Sequence, residues 1–77
     1  MKRYVSYDIK STNSYNELYS FLKEIKAVQV TESTYLTNSS LNLDDFCTKL
    51  KNFTQIGDTV IVISVNIENQ VFHRKVR

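Results

Sequence analysis

The sequence has no tryptophan or proline, one glycine (Gly57), one cysteine (Cys47) and one histidine (His73). Each scarcity excludes something. A single cysteine forms no internal disulfide, and one His with one Cys cannot complete a structural zinc site. With no proline and one glycine, the chain has no Pro- or Gly-rich linker, and it carries no internal repeat and no low-complexity segment. There is no glycine-rich phosphate loop and no clustering of histidine with acids, which removes most enzyme classes. The longest apolar run, Val60 to Ile63, is far too short to span a bilayer. Met1-Lys2-Arg3-Tyr4 starts basic but is followed by no apolar segment, so no signal peptide and a cytoplasmic protein are expected.

What is present suits one small folded domain. The 77 residues are 42% hydrophobic and 23% charged, neither disordered nor membrane-spanning in composition. A chain of roughly 60 residues buries only about 60% of its unfolded surface, so the core is marginal. Net charge is +2, too small by itself to imply nucleic acid, but three of the ten Lys and Arg lie in the last four residues. Such a tail reads either as a solvated terminus or as a phosphate-contacting arm.

Lys2 to Ile9 alternates, with Val5, Tyr7 and Ile9 on one face and Tyr4, Ser6 and Asp8 on the other, the period of a strand. Ser14-Tyr15-Asn16-Glu17 fits a capping box, and Tyr15, Leu18, Leu22 and Ile25, widened by Phe21, give an apolar stripe. A helix over residues 14 to 26 follows, with Tyr19, Lys23, Glu24 and Lys26 off the stripe. Ala27 to Thr31 and Ser33 to Thr37 read as two short strands joined near Glu32. Asn42 can cap a second helix whose Asp44 and Asp45 suit the dipole, with Leu43, Phe46, Cys47, Leu50 and Phe53 as its buried stripe. Cys47 on that stripe is expected to be a small core residue rather than a nucleophile. Gly57 marks the next turn. Thr59 to Ile67 is a strand with apolar residues on both faces, Glu68-Asn69-Gln70 a turn, and Val71 to Val76 a short last strand.

The order β-α-β-β-α-β, with a fifth C-terminal strand, implies an α+β ferredoxin-like sandwich: one antiparallel sheet with two helices on one face. In a four-stranded sheet of that order the first strand is central and the Thr59 strand lies at an edge. A long apolar edge strand with an apolar helix-free face invites association. A symmetric dimer pairing the open faces, each edge covered by the partner's C-terminal segment, is the economical expectation.

Tyr4-Val5-Ser6-Tyr7-Asp8-Ile9, the helix segment Tyr15-Asn16-Glu17-Leu18-Tyr19 and Ser33-Thr34-Tyr35 recur in this order and spacing in one family. Over about residues 3 to 66 the chain resembles the small CRISPR-associated Cas-two proteins and their virulence-associated protein D relatives. It is most similar to the short stand-alone bacterial members. The resemblance implies a homodimer in which two first-strand aspartates face each other across the two-fold axis. There they can hold Mg2+ or Mn2+ for cleavage of RNA or DNA, while some members serve only as scaffolds for a protein partner. Asp8 alone matches the catalytic and metal-binding position. CRISPR-associated members commonly carry an arginine beyond this aspartate, where this chain has Ser11-Thr12-Asn13-Ser14 with Lys10 as the nearby cation. Stand-alone relatives often end in a tryptophan-bearing tail, replaced here by basic residues.

Two roles are open for Asp8: a strand-end carboxylate accepting loop N–H groups near Ser11 and Thr12, or half of a metal site. Lys10, Arg74, Lys75 and Arg77 are the candidate nucleic-acid contacts. His73, alone in a basic tail, reads as exposed rather than as a general base. The tyrosines could stack on bases as in sheet-based RNA binders, although Tyr7 and Tyr15 fall on core faces. Nuclease and non-catalytic scaffold or binding module are therefore the two functional expectations.

Overall fold

The computed structural model describes residues 1–10, 12–65 and 71–77, with all of their side chains except those of 12–14 and 65. Five strands and two helices follow in the order β1 (Lys2–Asp8), α1 (Thr12–Glu24), β2 (Val28–Thr31), β3 (Thr34–Asn38), α2 (Leu43–Asn52), β4 (Thr59–Val65) and β5 (Val71–Lys75). They form one antiparallel sheet with strand order β2-β3-β1-β4-β5. The expected α+β, ferredoxin-like arrangement is what the chain adopts.

β1 lies in the interior of the sheet, paired with β3 on one side and β4 on the other. Its alternation therefore divides the sheet into two chemically different faces. Val5, Tyr7 and Ile9 meet Leu18, Phe21 and Leu22 of α1 and Phe46, Cys47 and Leu50 of α2 in one core, which Val60 and Val62 of β4 complete. Cys47 is a buried free thiol, as its place on the α2 stripe implies. Burial pushes its ionisation up, although nearby Arg74 and Arg3 oppose this. The opposite face carries Tyr4, Ser6 and Asp8, opposite Leu36 and Thr34 on β3 and Ile63, Ile61 and Thr59 on β4. No helix covers it.

Several boundaries differ from the sequence pattern. α1 begins at Thr12, two residues ahead of the expected capping box, so Ser14 lies within the helix rather than at its cap. Tyr15, expected in the buried stripe, is 36% exposed. α2 is as expected: the Asn42 side chain accepts the Asp45 N–H at 2.8 Å, and Asp44 and Asp45 occupy the first turn. The expected ends of β4 at residues 66 and 67, and the turn at 68 to 70, lie outside the described residues.

The largest correction concerns the β4 edge. β5 pairs with β4 of the same chain, Ile61 opposite Lys75 and Ser64 opposite Phe72, so β4 is an interior strand and β5 the edge. The chain's own C-terminal segment covers the edge assigned to a partner's. Arg77 fastens it, donating to the Thr54 Oγ1 at 3.1 Å and to the Lys51 carbonyl at 3.2 Å, where α2 ends. The other edge, β2, is short and its ladder is interrupted between Gln29 and Thr31, features that disfavour further pairing.

Arg3 shares the core face of β1 although its charge gave no sign of it. It is 1% exposed, lies 4.9 Å over the Phe46 ring, and donates through Nη2 to the Met1 sulfur at 3.1 Å. Its Nε and Nη1 find no hydrogen-bond partner among the described residues. The Phe46 ring face gives the guanidinium an electrostatic partner.

α1 ends in a Schellman arrangement. The Ala27 N–H reaches the Leu22 carbonyl at 2.9 Å and the Lys26 N–H the Lys23 carbonyl at 3.0 Å. Lys26 occupies the left-handed position, with φ 56°, where glycine is the usual residue. A side chain there costs about 1–2 kcal/mol. Lys26→Gly should raise stability by about 0.5–1 kcal/mol after the added freedom of the unfolded chain is subtracted. Urea titration checks it, and a lower midpoint would contradict this origin of strain at the helix end.

Candidate functional site

Asp8 ends β1 on the helix-free face, opposite Thr59. Its side chain is 66% exposed, and its Oδ2 lies 3.3 Å from the Lys10 ammonium, itself 69% exposed. An ion pair that open to water holds its geometry weakly. Asp8 makes no loop hydrogen bond among the described residues.

The loop-holding role belongs to Asp58, which the sequence pattern does not single out. Asp58 is 4% exposed. Its Oδ1 accepts the Lys10 N–H at 2.8 Å and its Oδ2 the Gln55 N–H at 2.8 Å, while its own N–H returns to the Gln55 carbonyl at 3.0 Å. One buried carboxylate thus clasps the segment leaving β1 to the turn entering β4. Gly57, at φ 100°, makes that turn possible. The only cue was an acid following the sole glycine, a pattern shared by ordinary turns. Asp8, by contrast, is 66% exposed and meets only Lys10 among the described residues.

Removing the two carboxylates should therefore have unequal effects. Asp58→Ala leaves two loop N–H groups without their acceptor and should cost about 2–4 kcal/mol. Asp8→Ala should stay within about 0.5 kcal/mol of the native protein. Thermal or chemical melts of both variants test the contrast, which equal losses would overturn.

The four cations expected at a nucleic-acid surface are dispersed. Lys10 pairs with Asp8. Arg74 donates to Asp44 at 2.7 Å across the seam between β5 and α2. A polar groove of about 360 Å³ runs there, lined by Cys47, Thr48, Lys51 and Arg74 among others. Arg77 is committed to the end of α2. Lys75 and His73 pair with Ile61 and Ile63, which puts them on the helix-free face with Asp8. Of the four, Lys10 and Lys75 share the face of Asp8.

As a metal ligand, Asp8 offers hard carboxylate oxygens of the kind Mg2+ and Mn2+ accept. Among the described residues of one chain no group of three or more His, Cys, Asp or Glu could hold a metal ion. One carboxylate per chain fits a cation that keeps most of its waters, with a second carboxylate from a two-fold copy. Among the described residues, no helix is long and apolar enough to cross a membrane.

A second cluster lies on the other side of the sheet. The Tyr7 hydroxyl meets the Tyr19 hydroxyl at 3.0 Å and donates to the Glu32 carbonyl at 3.3 Å. Tyr7 stacks on Tyr35 with centroids 6.3 Å apart and meets Tyr15 and Tyr19 edge-on. Burial, then the Tyr19 hydrogen bond and the neighbouring rings, push the Tyr7 ionisation far above the ordinary tyrosine range. The folded state keeps a proton that the unfolded chain sheds above about pH 10. The stabilisation is complete below that pH and declines above it, by up to about 1.4 kcal/mol per pH unit. Tyr7→Phe should flatten this alkaline loss in melts recorded between about pH 9 and 11; an unchanged slope would show that Tyr7 is not its source.

Comparison with protein-family models, with curated proteins and with solved structures gave no match.

Proposed function

We propose that the protein is a Cas-two-like, homodimeric, nucleic-acid-associated protein of the cytoplasm that cuts RNA or DNA at a paired Asp8 site. The observation that carries the proposal is Asp8 itself: an exposed carboxylate at the end of an interior strand, paired with Lys10 alone among the described residues. The resemblance of Tyr4 to Ile9, Tyr15 to Tyr19 and Ser33 to Tyr35 to that family supports the same reading.

The helix-free face supplies the dimer surface. Tyr4, Leu36, Ile61 and Ile63 sit at its centre, half-buried by cross-strand packing alone. Pairing two such faces about a two-fold axis removes apolar area from water and brings the Asp8 carboxylates toward each other. Two Asp8 side chains then hold the divalent cation, while Lys10 of each chain offsets their mutual repulsion and meets the phosphate. The cation, when bound, supplies Lewis-acid polarisation of the phosphate and acidification of a water. Lys75 and His73 add positive or polar contacts on the same face.

The second reading, a non-catalytic scaffold for nucleic acid or for a protein partner, draws on Lys10 being the sole described cation beside Asp8. In this reading the same dimer binds without cutting.

The test is incubation of the purified protein with labelled RNA and DNA, with and without Mg2+ or Mn2+, beside Asp8→Ala. Metal-dependent cutting lost at least about 100-fold in the variant is expected, given that the native rate depends on metal-assisted displacement. Cutting that survives the substitution unchanged rejects Asp8. Binding without cutting selects the scaffold. Light scattering of Ile61→Glu should report a monomer where the native chain is a dimer, and a native monomer at micromolar concentration would remove both readings.

A further inference from the structure

Between α1 and the β3 side of the sheet lies a cavity of about 340 Å³, lined by Tyr19, Leu22, Lys23, Ala27 and Tyr35. It exists because β2 gives the helix face little cover: Gln29, opposite Tyr35, is exposed and polar. The volume falls in the range of about 300–1,000 Å³ typical of small-molecule sites.

Its wall is aromatic. The Tyr19 and Tyr35 ring centroids are 6.2 Å apart at 50°, and Tyr15 adds a third ring 5.4 Å from Tyr19. The Tyr7 hydroxyl, buried beneath them, pins the Tyr19 hydroxyl. Tyr15 and Tyr19 nevertheless stay 36% and 38% exposed, so aromatic surface faces water.

Charge along α1 is segregated around this wall. Lys23 lines the tyrosine cavity, whereas Glu17 and Glu24 line a different groove, with Phe21 and Phe53. Lys26 follows at the helix end. The helix dipole favours cations there.

We infer that this cavity binds one unpaired nucleotide of a single-stranded nucleic acid, its base stacked on Tyr19 and Tyr35 and its phosphate met by Lys23 and Lys26. Aromatic walls take any base by its π-face, and lysines take the backbone. A duplex offers no free base face to such a wall. The inference rests on the proposed nucleic-acid association and adds a substrate form, single-stranded, and a site on the sheet face opposite Asp8.

Fluorescence anisotropy with labelled single strands of about ten nucleotides, oligo-U and oligo-dT, beside a duplex of equal length, tests it. Tyr19→Leu and Lys23→Glu should each weaken single-strand binding about tenfold, leaving duplex binding within about twofold. Lys26→Gly, expected to fold more stably than the native chain, should weaken single-strand binding about threefold, separating lost contact from lost structure. Single-strand affinity unchanged in Tyr19→Leu and Lys23→Glu overturns the site. So does tyrosine quenching by free uridine monophosphate without any strand binding. Duplex binding without single-strand binding rejects the cavity while nucleic-acid association stands. Tyr19-dependent strand binding by a protein that never cuts rejects the Asp8 chemistry while the cavity stands.

Discussion

Everything in this protein hangs on β1 being hydrogen-bonded along both edges. A strand paired on two sides cannot rotate about its axis or slip by one residue without reversing every side chain. Val5, Tyr7 and Ile9 are thereby committed to the helices, and Tyr4, Ser6 and Asp8 to the open face. The Asp8 face and the tyrosine cavity are the two sides of this one alternation. Tyr7 and Asp8 are consecutive residues, yet they serve opposite faces of the sheet.

Two acids near the same end of the sheet sit in opposite environments. Asp58 is buried and spends its oxygens on backbone N–H groups, which holds the segment after β1 against the turn before β4. Asp8 is exposed and, among the described residues, holds only Lys10. Burial, not residue type, separates the roles: a desolvated carboxylate must be satisfied by fixed donors, whereas a solvated one can exchange water for a cation or a phosphate-bound metal. The basic C-terminal segment is divided in a similar way. Arg77 has become part of the α2 terminus and Arg74 part of the β5–α2 seam, while Lys75 remains on the open face.

Much of the fold was legible because its signals are local. Period two in β1, the apolar stripes of α1 and α2, the Asn42 cap and the glycine turn all depend on residues a few positions apart. The features that local pattern misplaces depend on distant partners. Ser14 and Glu17 have the spacing of a capping box, but the helix starts earlier, at Thr12. Arg3 looks like a surface residue until α2 brings Phe46 over it. β5 reads as a strand, but only its pairing with β4 shows which edge it covers.

The sequence alone determined the element order, the faces of β1 and the candidacy of Asp8, since alternation and helical spacing are written in neighbouring residues. Only the tertiary structure decided that Asp58 clasps the segment after β1 to the turn before β4, that β5 closes its own sheet, and that Tyr7, Tyr15, Tyr19 and Tyr35 assemble into one aromatic wall. Each joins separate elements of the chain, 48 residues apart in the case of Lys10 and Asp58. Which pairs meet at such separations is set by sheet pairing and burial, not by local pattern.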